Sequence, residues 1–145
     1  MRVLGLDHGE RRIGVAVSDA TGTIATPHSV IDRRGDDVAA ALRSIVEEYD
    51  VELIVVGLPV RLDGEEGSAA QTVRAFAGSV AEMTGLPVAL QDERFTTVTA
   101  EGALLEGGVR RDQRRVTRDK IAAAVMLQGY LDSRRNDDDD RHHQP

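Results

Sequence analysis

The 145-residue sequence contains no cysteine, which excludes disulfide bonds and any zinc–thiolate centre from its design. No apolar run approaches the ~20 residues needed to cross a bilayer as a helix. A strand pattern begins within three residues of Met1, with no leader pattern ahead of it. A cytoplasmic protein with no membrane partner is therefore expected. Lysine is nearly missing too. Lys120 is the only one, so almost every cation is arginine, the residue suited to bidentate phosphate contacts, although genome composition can produce the same bias.

What is present is an ordinary globular composition, 41% hydrophobic and 30% charged, in a chain long enough to bury one core. The formal net charge of −7 argues against a general nucleic-acid binder if taken as an average. Its distribution says otherwise. Arg110, Arg111, Arg114, Arg115, Arg118 and Lys120 stand against only Asp112 and Asp119, a local net of +4. Such a cluster can contact phosphates, because salt screens distant charges beyond roughly 8–10 Å; a solvated basic loop is the plain alternative. Four consecutive aspartates, Asp137 to Asp140, mark the tail. The expected organisation is one domain over 1–133 and a disordered polar tail over 134–145.

Hydrophobic patterning supplies the elements. Val3 to Asp19 reads as two strands joined by a tight turn, with Asp7 where the first strand runs out. Ile24 to Ile31 is a third strand that Pro27 confines to an edge or a bulge. Val38, Ala41, Leu42, Ile45, Val46 and Tyr49 form one helical stripe, capped by Asp36 or Asp37. The run ending at Leu58 is apolar on both sides and belongs mid-sheet. A polar loop follows from Leu62 to Gly67, where α/β proteins place ligand contacts. A second helix spans about 68–84, ended by Gly85, and a strand runs from Val88 to Glu93. A third helix is expected over 98–106, then a mobile basic loop over 108–116. A last helix over about 117–133 has Ile121, Val125 and the nearby alanines and leucines on its apolar face. Three strands in succession suggest an antiparallel meander, and strand–helix–strand units suggest parallel neighbours. The fold class is α/β, a mixed five-stranded sheet with helices on both faces.

Acidic residues recur at element ends: Asp7 closes the first strand, Asp92 and Glu93 the last, and Asp119 opens the final helix. Converging carboxylates supply the hard oxygen ligands that suit Mg²⁺ or Mn²⁺, and such ions can drive phosphodiester hydrolysis. Each residue also has a plain structural reading. Asp7 can bond its own turn, Asp119 can complement the helix dipole, and Asp92 and Glu93 can be solvated strand ends. Alternation in the strand puts Asp92 on the Leu90 face and Glu93 on the other.

Four motifs in order carry a resemblance: Leu6-Asp7-His8-Gly9-Glu10-Arg11-Arg12-Ile13-Gly14-Val15-Ala16; Val56-Gly57-Leu58-Pro59 with Asp63-Gly64; Asp92-Glu93-Arg94-Phe95-Thr96-Thr97; and Asp119-Lys120-Ile121-Ala122-Ala123. Together they resemble the YqgF-type pre-16S rRNA nucleases, the Holliday-junction-resolvase-like branch of the ribonuclease H-like superfamily. The resemblance implies a ribonuclease H-like fold and metal-dependent nuclease activity. It implies Asp7, Glu93 and Asp119 as catalytic Mg²⁺ (or Mn²⁺) ligands, with Asp92 as runner-up. Arg94 steadies either the substrate phosphate or a ligand carboxylate, and Arg11, Arg110, Arg111, Arg114 and Arg115 are further substrate-binding candidates. Gly9 and Gly14 are read as letting the hairpin pass closely by the site, and His8 as structural. The implied substrate is precursor 16S rRNA, free or in the small-subunit precursor, and the protein a monomer or homodimer. A Holliday-junction resolvase and a non-catalytic nucleic-acid-binding module are the alternatives, with an actin-like ATPase lobe behind them.

Overall fold

A computed structural model describes residues 1–59, 67–92 and 111–143, with side chains in the last stretch over 116–134. Five strands form one sheet: β1 (Val3–His8), β2 (Arg12–Ser18), β3 (Ala25–Asp32), β4 (Leu53–Leu58) and β5 (Val88–Asp92). Their order is β3-β2-β1-β4-β5. The first three pair antiparallel through short turns, while β1, β4 and β5 run parallel, with helices in the crossovers. The sheet is mixed, as the element order predicts. Pro27 acts in both expected ways. β3 is an edge strand, and its register slips where Val15 pairs with Ser29 but Ala16 with Pro27, leaving His28 as the extra residue of a bulge.

Helices α1 (Val38–Tyr49) and α2 (Ser68–Thr84) follow the periodicity. Asp37 is the cap, its carboxylate accepting the Ala40 N–H at 3.1 Å. Both helices cover one face, where Leu42, Ile45, Val73, Ala77 and Val80 bury against Leu4, Leu6, Ile13, Val15, Ile54 and Val56. The other face belongs to a single long helix, α3 (Arg111–His143). Here Ala123, Met126, Leu127 and Leu131 pack on Val3, Ala16 and Val55.

The structure departs from the sequence reading at this last helix. Its buried side is centred on Ala123 and Leu127, among the alanines and leucines expected there, while Ile121 and Val125 are only partly buried. The reason is the sheet surface beneath. Gly5 and Gly14 offer so little bulk that Leu127 packs directly over Gly5, and the Asp119 backbone and Ala123 over Gly14. α3 also starts earlier and ends later than apolar content suggested. Helical backbone covers Arg111–Val116, read as part of a mobile loop, and passes Ser133 into the segment read as a disordered tail. No glycine or proline interrupts the chain between Gly129 and Pro145. Nothing breaks the helix where its apolar face runs out. The expected third helix over 98–106 and the loop from Leu62 to Glu66 lie outside the described residues.

Candidate active site

Sheet alternation sorts the residues of β1. Val3 and Gly5 face α3, and Leu4 and Leu6 face the other two helices. Asp7 therefore emerges on the α3 side at the end of the strand, half-buried. Its partner across the antiparallel ladder is Gly14. Directly above Gly14 lies the backbone of Asp119. A methyl group at residue 14 would stand 2.0 Å from the Asp119 carbonyl oxygen and 2.7 Å from its carbonyl carbon. Hydrogen in place of a side chain is what lets α3 settle here. The consequence is that Asp119 is carried to the end of β1 where Asp7 emerges.

Electrostatics register the meeting. The Asp119 carboxyl is pushed up from its ordinary range, first by burial and next by the negative charge of Asp7, while Arg12 and Arg118 pull it down. Two partly desolvated carboxylates near enough to repel are costly unless a cation offsets them. Arg12 is a contributor that motif reading passed over. It begins β2 two residues before Gly14, on the same face, and that spacing is the signal that could have found it.

The remaining site residues divide. Asp92 ends β5 opposite Leu58 and on the face of Leu90, away from Asp7, the direction alternation predicts. Glu93 and Arg94 lie outside the described residues, as does Arg110; Arg111, Arg114 and Arg115 fall in the first turns of α3. Arg11 is exposed and meets Asp32 at 3.9 Å, a loose surface pair. His8 points to the opposite face from Asp7 and packs on Phe76, ring centroids 4.4 Å apart. Burial and the nearby Arg33 charge push its pKa down, so it stands as a neutral packing residue. Gly9 folds the hairpin turn tightly, its N–H bonding Arg12 O at 2.8 Å. A methyl group there would lie 2.7 Å from that same oxygen.

Comparison with known proteins gives the family and the fold. A family model described as "RuvX: Holliday junction resolvase" matches residues 1–133. The chain belongs to the RuvX family. Among its curated relatives, one from Geobacillus kaustophilus is 46% identical over 138 residues, spanning 93% of this chain and 100% of its own. One from Myxococcus xanthus is 43% identical over 143 residues, spanning 98% and 95%. Both carry the name "Putative pre-16S rRNA nuclease". In three dimensions the chain is similar to Thermus thermophilus RuvC solved with a Holliday junction substrate. The TM-score is 0.56 at 18% identity, covering 94% of this chain and 96% of that one. That likeness shows the fold, the ribonuclease H-like architecture the RuvX motifs imply.

Proposed function

We propose that the protein is a divalent-metal-dependent endonuclease that hydrolyses phosphodiester bonds in structured nucleic acid, and that its substrate is the 5′ end of precursor 16S rRNA. The observation that carries this reading is the convergence of Asp7 and Asp119 at the end of β1 on the α3 face. Structural carboxylates avoid one another; a pair brought together under partial burial fits a cation site. The donor set also fits. Among the described residues, no cluster of three or more His, Cys, Asp or Glu forms a complete metal cage, but two hard oxygen donors are in place. Glu93 follows Asp92 directly in the sequence, and the expected strand alternation offers it as the third donor.

Asp7, Asp119 and Glu93 would hold Mg²⁺ or Mn²⁺ through carboxylate oxygens. The chemistry such an ion supplies when bound is Lewis-acid polarisation of a phosphoryl oxygen and a lowered pKa for water. The chain's own residues do the positioning. Asp7 is fixed by a strand paired on both sides, and Asp119 by a helix anchored through Ala123 and Leu127. Sites built on such rigid elements hold their geometry within the tolerance catalysis requires. Arg94 and the arginines at the start of α3 would steady the substrate backbone.

The RNA substrate is favoured because relatives matched across nearly their whole length bear the pre-16S rRNA name, whereas RuvC shares only the fold. The family description supports a second reading, resolution of four-way DNA junctions. That reaction needs two symmetric cuts and hence a homodimer; rRNA cleavage needs only a monomer. Cleavage of a precursor 16S rRNA 5′ leader and of a synthetic four-way junction, side by side with Mg²⁺ or Mn²⁺, separates the two. Loss of cutting in Asp7→Asn, Glu93→Gln and Asp119→Asn is expected. Undiminished metal-dependent cutting by these variants would overturn the assignment.

A further inference from the structure

The β3–α1 turn, which no motif singles out, is locked onto the hairpin that carries Asp7. Arg33 makes the lock. Its backbone N–H donates to Arg11 O at 2.8 Å, and its guanidinium Nη1 donates to Gly9 O at 3.0 Å and Glu10 O at 2.9 Å. The turn's acidic groups are held by its own backbone. Asp32 accepts the Arg34 N–H at 2.9 Å, and Asp36 accepts the Asp32 N–H at 2.8 Å. Asp37 is spent on capping α1. Arg34 is different. Its side chain is exposed, and among the described residues its guanidinium has no carboxylate or carbonyl within hydrogen-bond reach.

We infer that the β3–α1 turn is a second phosphate-binding element of the substrate site, with Arg34 as its contact and Arg33 as the brace that fixes its position. The inference rests on the nuclease reading above and extends it by naming where the nucleic-acid backbone passes beyond the carboxylates. Register supports the location. Asp7 pairs with Gly14, and Arg12 pairs with Asp32, so the turn lies two strands across from Asp7 and two residues further along. Strand spacings make that about 12 Å, a distance that a short stretch of nucleic-acid backbone can span. The formal charge of the two turns together is near neutral, because Glu10, Asp32, Asp36 and Asp37 oppose Arg11, Arg12, Arg33 and Arg34. Binding therefore depends on orientation, with the carboxylates of Asp32, Asp36 and Asp37 engaged by backbone N–H groups and Arg34 presented outward. An exposed guanidinium on a braced turn near the proposed cleavage site suits a backbone phosphate, since planar bidentate contact is what Arg offers.

The test uses the full chain with Asp7→Asn to prevent cutting. Its binding to a labelled RNA hairpin duplex and to a four-way DNA junction is measured across a salt series. Each lost phosphate contact lowers the slope of log K against log salt by about 0.9 on a duplex, so Arg34→Ala should reduce it by about one. Arg34→Lys should keep most of the slope, and Arg34→Glu should weaken binding about tenfold or more at low salt. Arg43→Ala serves as the control, because Arg43 is spent on the Met83 carbonyl at 2.8 Å, away from the turn. An Arg34→Ala slope equal to that of the parent overturns the inference while leaving the nuclease reading intact. A parent that binds neither probe overturns both.

Discussion

Replacing Gly14 with alanine should be severely damaging. The new Cβ would sit 2.0 Å from the Asp119 carbonyl oxygen, where ordinary contact begins at 3.4 Å. The obstacle is backbone on both sides, a central strand below and a helix above, so no side chain can swing away. α3 must retreat by about 1.4 Å to restore normal contact. A gap of 0.5–1 Å already forfeits roughly a quarter to a half of the dispersion attraction between facing atoms. The retreat would loosen Ala123, Met126 and Leu127 over Val3, Ala16 and Val55. Overpacking of this kind costs about 1–3 kcal/mol, and a backbone clash belongs at the upper end. At roughly 2–4 °C per kcal/mol for a chain of this size, Tm should fall by about 6–12 °C.

Activity should fall further than stability alone explains. The same displacement carries Asp119 away from Asp7, and a misplacement near 1 Å costs on the order of 100-fold in rate. Thermal melts and single-turnover cleavage, taken well below the variant's Tm, separate the two effects. Gly129→Ala is the matched control, since its Cβ would meet only Gln91 Nε2 at 3.6 Å, an ordinary contact on the same helix. A Gly14→Ala protein that melts within 1 °C of wild type, or cuts within about threefold of its rate, would refute the close approach of α3 as the device that assembles the site.

Asp119→Asn should abolish cleavage yet raise Tm in metal-free buffer at pH 7. Burial and Asp7 raise the folded-state pKa of Asp119 above its unfolded value. Its stabilising protonated form is thus fully present below the unfolded pKa and lost as pH rises through the folded one. The gain over wild type should therefore shrink as the melt is repeated toward pH 4, and a gain independent of pH would contradict the pairing. Asp19 has the opposite sign. Its carboxylate accepts the Thr23 and Ile24 N–H groups at 2.8 and 3.0 Å and the Thr21 hydroxyl, which holds its pKa far below the usual range. Asp19→Ala should lower Tm at neutral pH but not at strongly acidic pH, with cleavage unchanged because the turn lies at the far end of the sheet. Gly78→Ala, with open space around the new methyl in the middle of α2, should stabilise by about 0.8–1 kcal/mol and leave cleavage untouched.

Local chemistry made most of the sheet readable in advance. Pro27 announced both the edge and the bulge of β3, and the doubly apolar run of β4 announced a central strand, because each follows from one residue's hydrogen-bonding or burial requirement. The final helix was less legible, and the reason is physical. Periodicity places Ile121 and Val125 on the apolar face with the nearby alanines and leucines but does not rank them. The packing partner is a strip of backbone at Gly5 and Gly14, over which Leu127 and Ala123 lie. Hydrophobicity scales carry no information about what the opposite surface lacks. Polar helix beyond Ser133 is illegible for a related reason, since nothing apolar marks it and only the absence of a breaker permits it.

The candidate site shows the same division. Asp7 and Asp119 could be nominated from their places at element ends, but their meeting depends on Gly14, whose contribution is an absence. On the proposed assignment, the geometry of the site is set by how closely α3 can lie on the sheet, and at Gly14 that distance depends on the absence of a side chain. The glycine positions therefore couple stability to activity: a methyl group at Gly14 would both overpack the interface and separate the carboxylates. The Asp7–Asp119 repulsion works against the fold at the same place. A protein selected only for stability would not keep the charged pair, and its place at the end of β1, where α3 approaches most closely, supports the proposal that the chemistry occurs at this end.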